Sequence, residues 1–260
     1  MDTMLIFDRL AVRRHRDRAA KTVGRVADVL RDAAERLLDR LDDTSRRFAD
    51  ALDVGGRGVV APLLRARGIR VVSCDLSPAM AAANGGPCVA ADEEFLPFAP
   101  GSFDLIVASL SLHWINDLPG ALLQLRRTLR PEGLLLASLP ALGTLAELRS
   151  ALTEAESEIA GGASPRISPF PELRDCAHLL QRAGFTLPVA DVEDIRLLYS
   201  NPFALLTDLR AAGETNAIRE RSRTVPDRGL FPAALTRLPD EDGRSAVSLR
   251  MAVMTGWAPG

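Results

Sequence analysis

Lysine is almost absent from this chain. Lys21 stands alone against 31 arginines among the 32 basic residues, a bias that a GC-rich genome produces on its own. Cysteine is scarce too. Cys74, Cys88 and Cys176 share no Cys-x-x-Cys spacing, which excludes a zinc ribbon and argues against a disulfide scaffold. His15, His113 and His178 are the only histidines, and none begins a His-x-Asp or His-x-Glu. A facial triad of two histidines and a carboxylate is therefore not readable, and no metal site is expected. No apolar run reaches the roughly 18 residues of a transmembrane helix. The net charge is only −2, which argues against a nucleic-acid partner held by global positive charge. At the N-terminus the basic residues follow the short apolar stretch, the reverse of a secretory signal. Asp2, Asp8 and Asp17 count against an arginine-rich transit peptide. A cytoplasmic protein is expected, and no internal repeat is visible.

What is present is the balance of an ordinary globular chain, with 47% hydrophobic and 25% charged residues over 260 positions. At roughly 100–200 residues per domain this makes one large domain or one and a half, enough to bury a core without staples. Residues 8–47 are charged and helix-prone, with Val23, Val26, Leu30, Leu37 and Leu41 near helical spacing. They read as two helices or one broken helix, forming an N-terminal helical cap over 1–47. The period then changes. Apolar runs at 51–55, 69–77, 87–92, 103–114 and 134–140 read as strands. Between them 59–68, 78–84 and 118–133 read as helices, Pro78 starting and Asn84 stopping the second. Alternating strand and helix, with strands apolar on both phases, predicts an α/β fold: a doubly wound, mainly parallel sheet over 48–260. The amphipathic helix 144–160 and the helix 173–184 flank a Gly/Pro/Ser-rich loop at 161–172. Residues 143–184 therefore read as a helical lid insertion. Strands over 185–201 and a helix over 201–213 follow, and 219–248 is polar with no defined element.

The chemistry gathers at strand ends. The first strand closes on Asp53-Val54-Gly55-Gly56-Arg57-Gly58. Such a turn brings bare backbone N–H groups near a ligand at a helix N-terminus. The next strand ends in Asp75, about twenty residues on, where a carboxylate can accept two hydrogen bonds from a ribose diol. The third run ends in Asp92 and Glu93, acceptors for the amino group of an adenine. Each acid alone also reads as a solvated strand-end carboxylate. Together they converge on the carboxyl edge, where open α/β sheets bind ligands.

This order of motifs resembles class I S-adenosylmethionine-dependent methyltransferases. ALDVGGRG looks like their first glycine motif and CDLSPAM like the second-strand acid with its helix start. DEEFLPFAPGSFDLIVASLSLHW, LRRTLRPEGLLLASLP and LLQRAGF are similar to their later segments, so that the likeness covers roughly residues 48–200. A narrower resemblance, carried by SLHWINDLPGAL, TLAELRSALTEAE, GGASPRISPFPELRDCAHLLQRAGF, NPFALLTDLRAAGETNA and the closing MTGW, is to the complex I assembly factor family. That family has the methyltransferase fold and is associated with arginine hydroxylation of a complex I subunit. The first half is also similar to malonyl-acyl-carrier-protein O-methyltransferases.

The resemblance implies a Rossmann-like sheet and S-adenosyl-L-methionine as cofactor. Gly55, Gly56 and Gly58 would contact its methionine part, and Asp53 would order the loop or meet the ammonium. Asp75, with Leu76 beside it, would take the ribose hydroxyls, and Asp92 and Glu93 would read the adenine. Ser109 and His113 would flank the reacting centre. The implied function is a methyltransferase-fold enzyme acting on a protein substrate, a respiratory complex I subunit. Two alternatives stay open: a non-catalytic assembly scaffold, and a small-molecule or acyl-carrier O-methyltransferase.

Several residues carry more than one reading. The family's Gly-x-Gly-x-Gly becomes Gly55-Gly56-Arg57-Gly58-Val59, and a β-branched residue is disfavoured in a left-handed conformation. Arg57 either points to solvent or sits over the ligand's carboxylate. Gly56 replaces a small Cys or Ala, a harmless change. His113 is a candidate base or hydrogen-bonds a turn. Trp114 packs against the cofactor face or the core. Asp117 reads as the N-cap of the helix after it. Arg166 holds an acidic substrate group or lies on a surface excursion. The RRHRDR run is a solvated helix face, guides an acidic partner, or closes over the cofactor. The acidic side of 144–160, with Glu147, Glu154, Glu156 and Glu158, meets an arginine-containing substrate or simply faces water.

Overall fold

The computed structural model describes residues 5–260. Its apolar runs form one eight-stranded sheet of β1 (Asp50–Val54), β2 (Arg70–Asp75), β3 (Cys88–Ala90), β4 (Phe103–Ser109), β5 (Leu129–Pro140), β6 (Thr186–Tyr199), β7 (Asp240–Glu241) and β8 (Arg244–Trp257). The order is β3–β2–β1–β4–β5–β8–β6, with β7 paired on β8. Pairing is parallel from β3 through β5, and β8 inserts antiparallel between β5 and β6. The helices are α1 (Arg9–Ala19), α2 (Ala27–Leu38), α3 (Val60–Ala66), α4 (Pro78–Ala83), α5 (Leu118–Thr128), α6 (Ala146–Ala160), α7 (Leu173–Arg182), α8 (Phe203–Ala212) and α9 (Leu230–Leu235).

Successive side chains of a strand point to opposite faces. On β1 and β4, Leu52, Val54, Ile106 and Ala108 join the core that contains Leu122 and Leu125 of α5 and Leu180 of α7. The other phase, Ala51, Leu105 and Val107, joins Leu37 of α2 and Leu64 of α3. Helices cover both faces, and this is why the strands read as unbroken apolar runs. A third core, with Leu148 and Leu152 of α6, Leu205 of α8 and Leu230 and Leu235 of α9, closes on Val247 of β8. No helix among the described residues is long and apolar enough to cross a membrane.

The boundaries move in three places. The helix expected over 118–133 stops at Thr128, and β5 begins at Leu129 instead of 134. Pro131 disfavours helical backbone at Arg130. The run 103–114 is a strand only to Ser109, because Leu110 takes φ +50° and Leu112–Trp114 forms a 3₁₀ turn. Residues 219–248 hold α9, β7 and the start of the 14-residue β8.

The chain runs from β1 out to β3 and returns to β4 on the other side of β1. Such a switch opens a crevice at the carboxyl ends of the two strands. The turn after β1, the ends of β2 and β3 and the segment after β4 all meet there. α1 lies against this edge, with its N-cap Asp8 accepting from the Ala11 N–H.

Candidate functional site

The turn after β1 is left-handed at Gly55 (φ +68°), Arg57 (φ +50°) and Gly58 (φ +82°). Val59 has φ −108°, so the strain expected there falls on Arg57 instead. The Arg57 side chain is buried. It donates to the Leu110 carbonyl at 2.7 Å and to the Glu214 carboxylate, and so points neither to solvent nor freely into the crevice. Gly56 is required there, beyond being harmless: a Cβ at this position would stand 2.2 Å from both carboxylate oxygens of Asp53. Asp53 is fully buried; it accepts the Ser73 hydroxyl on Oδ2 at 3.3 Å and has no partner on Oδ1. Burial pushes its carboxyl up to about 7.

The second group lies at the ends of β2 and β3. Asp75 is fully buried and accepts the Ser77 N–H at 2.8 Å. Arg16 of α1, 1% exposed, reaches in beside it. Its Nη1 donates to Asp75 Oδ2 at 3.3 Å and Glu93 Oε1 at 2.7 Å, and its Nη2 to the Ser111 carbonyl at 3.1 Å. Arg9, on the same helix, donates to Asp92 Oδ1 at 2.5 Å, to Glu93, and to the Trp114 carbonyl at 3.1 Å. Burial pushes Asp75 up against the pull of Arg16, leaving it above the usual carboxylate range. Burial acts on Glu93 the same way, but Arg16 and Arg9 together outweigh it and hold that carboxyl below its usual range. Leu76 packs partly buried on the cluster of Phe7, Val12 and Trp114.

The third group follows β4. Ser109 ends that strand opposite Ser138 of β5. His113 Nε2 lies 2.7 Å from Glu214 Oε2, and the Trp114 indole N–H donates to the same oxygen at 2.8 Å. Glu214 therefore gathers Arg57, His113 and Trp114. Burial pushes its carboxyl up, but His113, Arg57 and the indole outweigh this and hold it well below its usual range. His113 Nδ1 is buried without a partner. A cavity of about 140 Å³ adjoins these groups, lined by Arg57, His113 and Glu214 and, from the 161–172 loop, by Arg166, Ile167 and Phe170.

The structure thus brings Asp53, Gly55, Gly56, Gly58, Asp75, Leu76, Asp92, Glu93, Ser109 and His113 to one edge of the sheet. Asp117 caps α5, accepting the Gly120 N–H at 2.9 Å. One expectation is corrected: Arg166 is not free for a substrate acid, because its guanidinium pairs with Glu156 of α6. On the acidic side of α6, Glu147 pairs with Arg196, while Glu154 and Glu158 face water, the latter paired with Arg237. Arg9 and Glu214 were missed as site residues. Arg16 was read only as part of the RRHRDR run, of which Arg13, Arg14 and Arg18 are exposed as a solvated face would be, whereas Arg16 is buried at the crevice. Arg16 did carry a signal: with Val12 and Ala19 it falls on the buried stripe of α1, a charge where periodicity calls for an apolar residue. Glu214, just after the Gly213 C-cap of α8, carried none.

A doubly wound sheet with an antiparallel strand inserted before its last member, and acids at the ends of β1, β2 and β3, defines a methyltransferase-type fold. The chain belongs to the methyltransferase domain family, which matches residues 23–188. It is 37% identical over 268 residues to the mitochondrial arginine-hydroxylase NDUFAF5 of Danio rerio, covering 98% of this chain and 84% of that protein. It is 36% identical over 269 residues to the malonyl-[acyl-carrier protein] O-methyltransferase of Xylella fastidiosa (strain M23), covering 98% and 89%. Among solved structures it is similar to the 1,6-didemethyltoxoflavin-N1-methyltransferase of Burkholderia thailandensis, crystallised with 1,6-didemethyltoxoflavin and S-adenosylhomocysteine. The TM-score is 0.50 at 21% identity, over 92% of this chain and 82% of that one.

Proposed function

We propose that this chain is an S-adenosylmethionine-binding enzyme that modifies an arginine on a protein partner belonging to respiratory complex I. The carrying observation is the set of buried acids beside the glycine turn, in the crevice between β1 and β4. Full-length similarity to an arginine-hydroxylase supports the arginine and the partner. The donor set fits the cofactor by chemistry. Its ammonium, ribose diol and adenine amine all offer N–H or O–H donors, and Asp53, Asp75, Asp92 and Glu93 are acceptors. In this reading Gly55, Gly56 and Gly58 hold the methionine part, Asp53 meets the ammonium, Asp75 with Leu76 holds the ribose, and Asp92 and Glu93 hold the adenine.

When bound, the cofactor supplies an electrophilic methyl sulfonium. The chain's own task is to align an acceptor with it and to remove a proton. Ser109 and His113 flank that point. Val26, Val29 and Leu30 of the helical cap and Arg166, Ile167 and Phe170 of the lid over 143–184 line the cavity beside His113, and we assign the protein to the cytoplasm. Calorimetric titration with S-adenosylmethionine and S-adenosylhomocysteine tests the cofactor. Incubation with purified complex I subunits, read by mass spectrometry, tests the reaction. A gain of one methylene means methyl transfer, and a gain of one oxygen means hydroxylation. Folded protein that binds neither nucleoside refutes the cofactor assignment. Methylation of malonyl-acyl carrier protein in the same assay would move the protein to the acyl-carrier reading.

One observation favours a second reading. Arg9, Arg16 and Arg57 fill the crevice with the chain's own side chains, as an assembly scaffold without chemistry would tolerate. Recovery of complex I subunits by a chain that leaves them unmodified would support it.

A further inference from the structure

We propose that α1 is an intramolecular competitor for the nucleoside: Arg16 and Arg9 occupy the carboxylates of the crevice, and α1 must lift away before S-adenosylmethionine enters. The proposal rests on the cofactor reading above and adds how access to that site is controlled. Every acid assigned there to the ribose and the adenine already holds a guanidinium: Asp75 and Glu93 hold that of Arg16, and Asp92 and Glu93 that of Arg9. Arg16 also takes the Ser111 carbonyl, and Arg9 the Trp114 carbonyl. Arg16 Nη1 reaches to 3.8 Å from where a Cβ on Gly55 would stand, so the side chain spans from the ribose acid to the glycine turn. A guanidinium presents planar N–H donors to carboxylates, the same kind of group a ribose diol and an adenine amine offer. The two occupants exclude one another by volume and by demand for the same lone pairs.

The seat of α1 is built to part. It buries little apolar surface, chiefly Ala11, Val12 and Ala19. The rest is a set of individual polar contacts to distant parts of the chain. Ser77 donates to Asp17 Oδ1 at 2.5 Å, His15 Nδ1 lies 3.1 Å from the Thr215 carbonyl, and Arg221 pairs with Asp8 at 2.9 Å. Phe7 bridges Ile218 and stacks edge-on against Trp114 at 5.2 Å. A short 3₁₀ turn joins α1 to α2, and a Cβ on its Gly24 would meet nothing within 4 Å. Val26 is buried with α2 and Arg25 pairs with Asp208 of α8, so the swing falls on the turn at 20–22, where Lys21 and Thr22 are exposed, while α2 stays in the core. Apparent affinity for the nucleoside is then its intrinsic affinity reduced by the fraction of molecules with α1 lifted.

The test titrates S-adenosylhomocysteine calorimetrically into the full chain. The Arg9→Gln/Arg16→Gln variant removes both competitors and is expected to bind about tenfold tighter or better than the wild type. A second variant, Asp17→Cys/Ser77→Cys, tethers α1 to the start of α4. Its oxidised form is expected to bind at least about tenfold more weakly than its reduced form. Hydrogen exchange on the wild type should show the amides of 9–19 losing protection as the nucleoside is added. Equal or weaker binding by the arginine variant, with no difference between oxidised and reduced tether, overturns the competitor role and leaves the cofactor reading standing. If the nucleoside binds and 9–19 stays protected, the lifting of α1 is refuted. If no folded form binds, the arginine variant included, the cofactor reading itself falls and this proposal with it.

Discussion

Asp53 offers the sharpest test of the site's electrostatics. Its carboxyl titrates near 3.8 in an unfolded chain and at about 7 when buried in the fold. Between those values the unfolded chain has released the proton and the native chain still holds it. The native state thus binds one more proton, and stability falls by about 1.4 kcal/mol per pH unit as pH rises. Over a gap of about three units the loss approaches 4 kcal/mol, complete above pH 7 and absent below pH 4. Asparagine has nearly the same shape, carries no charge and still accepts the Ser73 hydroxyl. Asp53→Asn should therefore match the wild type near pH 4 and exceed it by up to about 4 kcal/mol at pH 8. In a chain of this size that is a gain in Tm of roughly 8–16 °C. Urea unfolding followed by circular dichroism, on both proteins at pH 4.5, 6 and 8, measures it, and subtracting the pair cancels the other titrating groups. A difference that is constant with pH, or a variant less stable at pH 8, would refute the burial argument. A group that costs the fold this much at neutral pH is one that function retains. The same variant should accordingly bind S-adenosylhomocysteine more weakly than the wild type.

Glu214→Gln leaves the buried Arg57 guanidinium without its counter-charge, at about 3 kcal/mol, the low end for a broken buried pair because the Glu214 side chain is 19% exposed. Weakening of its bond to the Trp114 indole should also shift tryptophan emission. Because Glu214 is held below its usual range in the fold, its contribution is present above the unfolded glutamate range and is lost as pH falls below it. The variant should lack that part of the acid transition, read by the same fluorescence. Gly56→Ala pushes a methyl into the Asp53 carboxylate and should cost about 1–3 kcal/mol by overpacking. Gly24→Ala meets open space and should stay within about 0.5 kcal/mol of the wild type in parallel melts. Glu156 holds Ser164 and Arg166 and titrates at about 2 in the fold against an ordinary 4.5. Its hold on the loop is therefore complete above about pH 4.5 and lost as pH falls toward 2. Glu156→Gln should raise proteolysis within 161–172 at neutral pH and leave the rest of the chain protected.

Much of the fold is legible along the chain because its determinants are local. Leu52, Val54, Ile106 and Ala108 advertise a buried strand by their own run, and Pro78, Asn84 and Asp117 mark helix ends by turn chemistry. The long pair of β6 and β8 is harder to read. Its exposed phase carries Asp194, Arg196 and Arg250, which blur the apolar pattern that marks the inner strands. The candidate site divides the same way. Asp53, Asp75 and Asp92 are found from position alone, because a parallel strand that ends in an acid delivers it to the carboxyl edge.

By itself, then, the sequence determined the doubly wound sheet, the glycine turn and the acids around the crevice, all consequences of short-range pattern. Only the tertiary structure decided what those acids bind. Arg16 meets Glu93 across 77 residues, and His113 meets Glu214 across 101. The strength of such pairs depends on separation and on exclusion of water, and neither exists until the chain has folded. The RRHRDR run left Arg16 open to several readings, and only packing of α1 against the sheet edge buried it and supplied the carboxylates that make its burial tolerable.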